Sequence, residues 1–298
     1  MSEGQDMERH ADAQRRVIRV LAASQVLGGI GTAAAVAVGA LLAADLASES
    51  LSGLSSAASV IGSALIAIPV SRIMQRQGRR PGLIFAYLVG LGGAIVVVIA
   101  AMLDLFPLAL LGLVATGGGT TAGLQSRYAA TDLALPSHRG RSLAVVVWAT
   151  TVGSILGPNL AAPMGALASS IGIPRLAGPY LLTAVVYTCA AAIISVLLRP
   201  DPLLTSQGTP GKPAAHRAAL DPPLAPPRPG SVRNALNTIR TSSAAVLGLA
   251  SVVIGHAVMV AIMSMTPVHL QNEGASLEIV GIIISAHITG MYIASPLV

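Results

Sequence analysis

Polar side chains within the long apolar stretches of this sequence are costly unless they have a partner or a role. Four candidates of this kind are Gln125, Asn159, His256 and His287. Polar residues at membrane depth are candidates for a solute or ion pathway, and histidine titrates near physiological pH, so it can carry protons. We predict that these residues line a substrate or proton pathway. The alternative is that each histidine is a neutral residue that hydrogen-bonds between helices.

Enzyme chemistry is not indicated by the other polar residues. No Asp or Glu lies near the middle of an apolar stretch, and neither a metal-binding set of His and Asp nor a Ser/His pair is visible there. Cys189 is the only cysteine, so the chain can build neither an internal disulfide nor a thiolate metal site. We therefore predict no catalytic residue, no metal and no cofactor, with a polytopic membrane enzyme as the less favoured alternative.

The elements that must hold these residues are membrane-spanning helices. The sequence is 53% hydrophobic and only 10% charged, whereas a soluble domain carries roughly 25% charged residues. A helix needs about 20 predominantly apolar residues to cross the hydrocarbon core. The sequence predicts eight such segments, at 18–44, 51–73, 82–103, 105–130, 143–169, 178–198, 244–268 and 279–298. The predicted fold class is an all-α polytopic membrane protein.

Basic residues alternate along the chain in a way that predicts orientation. Seventeen of the eighteen Lys and Arg residues fall in alternate gaps between the apolar segments, and Arg175 is the exception. Cytoplasmic loops carry an excess of Lys and Arg, so we expect a multi-pass protein of the cell membrane with a cytoplasmic N-terminus. The same topology explains the net charge of +6 without nucleic acid as a partner.

Proline and charge divide the chain into four regions. Residues 1–17 are predicted to form a cytoplasmic tail, and 18–198 a bundle of six helices. Residues 199–243 hold nine of the nineteen prolines and are expected to form a solvated cytoplasmic linker. Residues 244–298 are predicted to be the first two helices of a second, incomplete bundle, because span eight repeats the Ser and Pro spacing of span two. By that repeat, four more spans are expected after Val298.

The second basic gap reads Ser71-Arg72-Ile73-Met74-Gln75-Arg76-Gln77-Gly78-Arg79-Arg80. This loop resembles the Gly-x-x-x-Asp-Arg-x-Gly-Arg-Arg signature of the major facilitator superfamily, with Ser71 and Gln75 in place of its Gly and Asp. The resemblance implies a cytoplasmic latch made of Arg76, Gly78, Arg79, Arg80 and Asp132, in which Arg76 pairs with Asp132. The alternative is that these arginines only set the topology.

Span five contains a second motif, with Gly153 and Gly157 on one helix face and Pro158 after them. Such glycines let two helices approach closely, and the proline removes a helical hydrogen bond and can kink the span. Together the three residues resemble the Gly-x-x-x-Gly-Pro motif of the superfamily's antiporters, with Ala161 and Ala162 in place of its last two glycines.

The two resemblances imply an MFS-like transporter that exports a small lipophilic or amphiphilic solute by alternating access, in exchange for protons. The partners expected are the lipid bilayer, a small-molecule substrate and protons, and a monomer is favoured. A non-transporting or truncated carrier-like membrane protein is the main alternative.

Overall fold

Segments that cross a lipid bilayer must satisfy every backbone N–H and C=O group internally, and a helix does so within one segment. The computed structural model describes residues 3–208, 237 and 239–292, and these residues form helices and turns without a β-strand. Among them, seven helices are long and apolar enough to span a membrane, and an eighth apolar helix is shorter. The predicted all-α polytopic fold is confirmed.

Ten α-helices are described in these ranges. They are α1 (Glu3–Leu46), α2 (Gly53–Gln77), α3 (Arg79–Met102), α4 (Phe106–Thr131), α5 (Arg139–Asn159), α6 (Ala161–Ser170), α7 (Gly178–Leu197), α8 (Pro202–Gly208), α9 (Ser243–Asn272) and α10 (Leu277–Tyr292). We call the end of the bundle with the α2–α3 turn and the α4–α5 connection the basic face. The end with the α1–α2, α3–α4, α6–α7 and α9–α10 connections is the opposite face.

Two predicted segments differ from the helices observed. Helix α1 begins at Glu3, so it extends through most of the predicted N-terminal tail. The predicted segment 143–169 is divided into α5 and α6 by a break at Leu160. Pro163 in the first turn of α6 has no N–H to donate to the carbonyl of Asn159, where the helix breaks. The Leu160 N–H is shared between the carbonyls of Leu156 and Gly157.

Glycines allow the helices of the bundle to approach closely. A Cβ atom on Gly93 of α3 would lie 2.6 Å from the carbonyl oxygen of Gly112 in α4, so the two backbones are in contact. The ring of Tyr187 in α7 fits into a space left by three glycines on three other helices. These glycines are Gly31 of α1, Gly90 of α3 and Gly119 of α4, each of which would clash with the ring if it carried a side chain.

The chain divides into two compact units. Residues 1–206 and 264–298 form one unit, and residues 207–263 form the other. Helix α10 joins the first unit because its buried residues, among them Gly281 and Ser285, lie against α5. Most of the predicted linker lies outside the described residues, and the predicted second bundle stays a prediction.

Candidate functional site

The basic face is organised around a tight turn between α2 and α3. Helix α2 ends at Gln77, and Gly78 has a φ of 98°, a left-handed conformation that glycine adopts without strain. A Cβ atom at this position would also lie 2.5 Å from Oδ2 of Asp201. Glycine is thus required here both by the backbone conformation and by the approach of a carboxylate.

Arg79, the first residue of α3, forms a two-point ion pair with Asp132 at the end of α4. Its Nε atom donates to Oδ2 over 2.8 Å and its Nη2 atom to Oδ1 over 3.2 Å. The two side chains are only 18% and 13% exposed. Such paired hydrogen bonds fix geometry as well as charge. The pair also neutralises a carboxylate placed at the negative end of the α4 dipole.

The predicted pairing of Arg76 with Asp132 is therefore wrong. Arg76 lies in the last turn of α2 and is exposed, whereas the turn at Gly78 directs Arg79 toward α4. Arg80 donates from Nη2 to the backbone carbonyl of Ser195 in α7. Gln125 lies close to the ion pair, with its Oε1 atom 3.5 Å from Nη1 of Arg79.

Asp201, which sequence reasoning placed in the linker and did not single out, joins two helix N-termini. Its carboxylate accepts the backbone N–H groups of Arg79 and Arg80 over 3.1 and 2.8 Å. The same carboxylate accepts those of Leu203 and Leu204 at the start of α8. A carboxylate at a helix N-terminus satisfies free N–H groups and opposes the helix dipole. An acidic residue just before a short helix was the available signal.

We expect Asp201→Ala to lower the free energy of unfolding by about 1–2 kcal/mol, because the loss of a helix N-cap costs about that much. Asp201→Asn keeps one acceptor oxygen, so its free energy of unfolding should lie between those of the parent and of Asp201→Ala. The measurement is the thermal unfolding midpoint in lipid nanodiscs. The matched control is Asp45→Ala, which removes an exposed carboxylate at the end of α1. Equal midpoints for Asp201→Ala and this control would contradict the capping role.

A buried amide connects four helices in the half of the bundle nearer the basic face. Gln25 of α1 is 1% exposed and donates from Nε2 to the hydroxyls of Tyr87 and Ser126, over 3.1 and 3.0 Å. Its Oε1 atom accepts a hydrogen bond from Thr150 over 3.2 Å. Both amide hydrogens are used, so this residue serves packing. The rule that singled out Gln125 applies equally to Gln25, which the sequence analysis missed.

The predicted glycine face of α5 lies against α1. A Cβ atom on Gly157 would lie 2.6 Å from the carbonyl oxygen of Ile30, and one on Gly153 would meet the carbonyl oxygen of Val26. Pro158 faces α10, where a Cβ atom on Gly281 would lie 2.5 Å from its carbonyl oxygen. The motif therefore lies where α5 contacts both α1 and α10.

Asn159 completes the contact between α5 and α10. Its Nδ2 atom donates to the carbonyl of Ile155 and to the Ser285 hydroxyl, each over 2.7 Å. The Ser285 hydroxyl donates to the same Ile155 carbonyl over 2.8 Å. These bonds give hydrogen-bond partners to the Ile155 carbonyl, the Asn159 amide and the Ser285 hydroxyl, beside the break after Pro158. Asn159 thus makes an interhelical contact here.

Three polar contacts join the end of α9 and the start of α10 to the opposite face of the bundle. Asn272 donates to Glu49 over 3.1 Å, and the Ser52 hydroxyl lies 3.8 Å from the sulfur of Met265. Arg175 and Glu278 approach within 3.8 Å, with both side chains more than half exposed. Exposed ion pairs of this kind contribute little to stability, so the polar part of this connection is weak.

The two histidines predicted for a pathway lie in different units. His256 lies in α9 in the second unit, and His287 lies in α10 in the first; both are exposed. Within the described residues no three His, Cys, Asp or Glu side chains are grouped so that they could hold a metal ion.

Comparisons with known proteins agree with the fold. The model of the Major Facilitator Superfamily matches residues 21–298. Two uncharacterized MFS-type transporters of Bacillus subtilis (strain 168), YdeG and YddS, are 38% and 37% identical to this chain over 97% of its length. The riboflavin transporter RfnT of Brucella anthropi is 25% identical over 96% of the chain and 66% of its own length.

The chain spans 65% and 64% of the lengths of the two Bacillus relatives. The match nevertheless covers all eight apolar helices of the described chain, the basic turn at Gly78 and the glycine face of α5. This chain belongs to the major facilitator superfamily.

Proposed function

We propose that the protein is a transporter that moves a small amphiphilic solute across the cell membrane by alternating access, with its basic face in the cytoplasm. The observation that carries the proposal is the contact between α9–α10 and the opposite face of the bundle. Its polar part is a few exposed contacts, Glu49 with Asn272 and Arg175 with Glu278. Its buried apolar part is one small cluster around Val268. A motion that opens this face has few buried contacts to break, which favours a rocking mechanism.

The interior supports a solute without a strong charge. In the described spans no acidic side chain lies at the middle of a helix, and the buried polar residues are hydroxyls and amides such as Gln25, Thr121 and Thr183. A fixed charge in the solute would therefore lack a partner at this depth. An amphiphile with an apolar body and a polar end suits such an interior. Riboflavin, which the name of one relative specifies, serves as one test compound.

The proposal extends to outward transport in exchange for protons. It is supported by the likeness of Gly153, Gly157 and Pro158 to the antiporter motif, and by the place of that motif between α1 and α10. His256 and His287 are the candidates for the protonated group, since they are the only titratable side chains within α9 and α10 that lie away from the helix ends.

The test is transport by the chain in liposomes, with and without an imposed pH gradient. Cysteines replace Glu49 and Asn272 in a Cys189→Ser background, so that the two introduced thiols are the only ones in the chain. A reducible bis-methanethiosulfonate linker then joins the two positions. We expect flux of riboflavin or of a neutral coumarin amphiphile, a loss of at least about tenfold when the linker is in place, and recovery after reduction.

The control variant carries Arg15→Cys and Arg19→Cys, two exposed positions one turn apart on α1. The same linker joins them within a single helix, so flux should be unchanged. Absence of flux for every compound would favour the carrier-like protein that does not transport. If the Glu49–Asn272 link leaves the flux unchanged, the proposal that this face opens during transport is wrong. Flux that does not change with the pH gradient would contradict only the proposed exchange for protons.

A further inference from the structure

A small cavity rich in hydroxyl groups lies between α1, α2 and α4, in the half of the bundle nearer the opposite face. Its volume is about 30 Å³. Seven of its eleven lining residues carry a hydroxyl, and no lining residue is charged. A water molecule occupies about 10–15 Å³ on this measure, so the cavity admits two waters or one small polar group. The body of any larger ligand must stay outside it.

The hydroxyls of the cavity have different hydrogen-bonding capacities. Those of Ser55, Ser59 and Thr116 donate to backbone carbonyls of their own helices, over 2.7, 3.2 and 2.7 Å. Their donor hydrogens are used, and their oxygens remain available as acceptors. Ser56 and Thr120 have no hydrogen-bond partner among the described residues. The cavity therefore offers acceptors together with two unused hydroxyl donors.

One further hydroxyl is held in place by the packing of the bundle. Tyr187 reaches the cavity from α7 through the space left by Gly31, Gly90 and Gly119, and its ring is 1% exposed. The phenol oxygen lies 2.9 Å from the Thr32 hydroxyl. One of the two groups donates to the other, so the pair leaves one hydrogen free. Because the glycines fix the ring, this part of the cavity is preorganised.

The other lining residues are apolar. Ala35, Val36 and Leu113 lie beside the hydroxyls, and Val36 is 43% exposed. When the polar group of a ligand enters the cavity, the apolar part of the ligand would lie against these side chains. A carboxylate or ammonium group would lose its hydration here without gaining an opposite charge, which is strongly unfavourable. A methyl group would leave the free hydroxyls without partners.

From this geometry we propose that the cavity binds the uncharged, hydrogen-bonding end of an amphiphile, a hydroxymethyl or carboxamide group. This inference rests on the proposed transport function, for which it names the substrate class. The positions that set the selectivity are Ser56, Thr120 and Tyr187, since Ser56 and Thr120 have unused donor hydrogens and the pair of Tyr187 with Thr32 has one more.

The test is binding to the whole chain in lipid nanodiscs, measured by fluorescence anisotropy and corrected for empty nanodiscs. The probes are 7-diethylaminocoumarins that share one fluorophore and carry a hydroxymethyl, carboxamide, methyl, carboxylate or trimethylammonium-methyl group. We expect the hydroxymethyl and carboxamide probes to bind at least about tenfold more tightly than the methyl probe. The charged probes should bind no more than they bind empty nanodiscs.

Two sets of variants connect this selectivity to the cavity. Ser56→Ala combined with Thr120→Val should weaken binding of the carboxamide probe about tenfold, since each lost hydrogen bond to a ligand accounts for a few-fold. Tyr187→Phe should weaken it about threefold. The matched control combines Ser63→Ala and Thr188→Val, whose hydroxyls donate to carbonyls of their own helices outside the cavity. All variants must share the unfolding midpoint of the parent.

Equal affinities for the methyl and hydroxymethyl probes would overturn the inference, as would tight binding of a charged probe or an unchanged affinity in the double variant. Binding is measured without flux, so the two proposals fail separately. Selective binding without transport would contradict the transport function alone. Transport without selectivity among the probes would contradict the cavity's role alone.

Discussion

Arg79→Ala should lower the free energy of unfolding by about 2–3 kcal/mol. Removing one partner of a buried ion pair costs about 3–5 kcal/mol because the other charge is left without compensation. The 18% and 13% exposures of Arg79 and Asp132 allow water to screen part of that charge, which reduces the loss. Asp132 would also remain at the negative end of α4, where a carboxylate is unfavourable. The measurement is unfolding by steric trapping in lipid bicelles.

Arg76→Ala is the control for this prediction. It removes a guanidinium from the same loop, but the side chain is exposed and the loss should stay within about 0.5 kcal/mol. Exchanging the charges, with Arg79→Asp and Asp132→Arg together, should recover at least half of what either reversal loses. Equal losses for the two alanine variants, or no recovery on exchange, would show that the loop is not held by this pair.

Gly153→Ala should lower the free energy of unfolding by about 2–3 kcal/mol, although alanine is the better helix former. The added methyl group would meet the carbonyl oxygen of Val26, and a backbone atom cannot rotate away as a side chain can. The helices must separate instead, and overpacking of a close contact costs about 1–3 kcal/mol. The contact between α5 and α1 would loosen over its whole length. The same bicelle measurement tests this.

Gly92→Ala provides the matched comparison. It lies inside α3, and a Cβ atom there would have no neighbour within 4 Å. Only helix propensity acts at this position, so the free energy of unfolding should be unchanged or rise by up to about 1 kcal/mol. A similar loss at both glycines would mean that contact with α1 does not decide the effect at Gly153.

The helices and the basic turn could be predicted from the sequence because their causes are local. Runs of about 20 apolar residues are long enough to span a bilayer, and Gly78 marks the place where the chain reverses. The break at Leu160 also has a local cause, the missing N–H of Pro163. In contrast, α1 also includes residues 3–17. These residues are mostly polar, so a search for apolar spans does not predict a helix there.

The partners within the site could not be predicted from local pattern. Each residue along a helix turns the side chain by about 100°, so the exact residue at which α2 ends decides whether Arg76 or Arg79 faces Asp132. Asp201 is more than 100 positions from Arg79, and Ser285 is more than 100 positions from Ile155. Contacts of that separation depend on how the helices pack, which composition and periodicity do not specify.

The space around Tyr187 restricts the order in which this protein can change during evolution. Gly31, Gly90 and Gly119 cannot individually acquire a side chain while the ring is present. If a smaller residue first replaces Tyr187, the closest clash at each of the three positions is removed, although a Cβ atom on Gly31 would still lie 2.8 Å from a methyl group of Val186. Once any one of the three glycines has been replaced by a residue with a side chain, tyrosine no longer fits at position 187. The four residues therefore form an epistatic set in which the tyrosine must be lost first, and its loss becomes irreversible after a single further substitution.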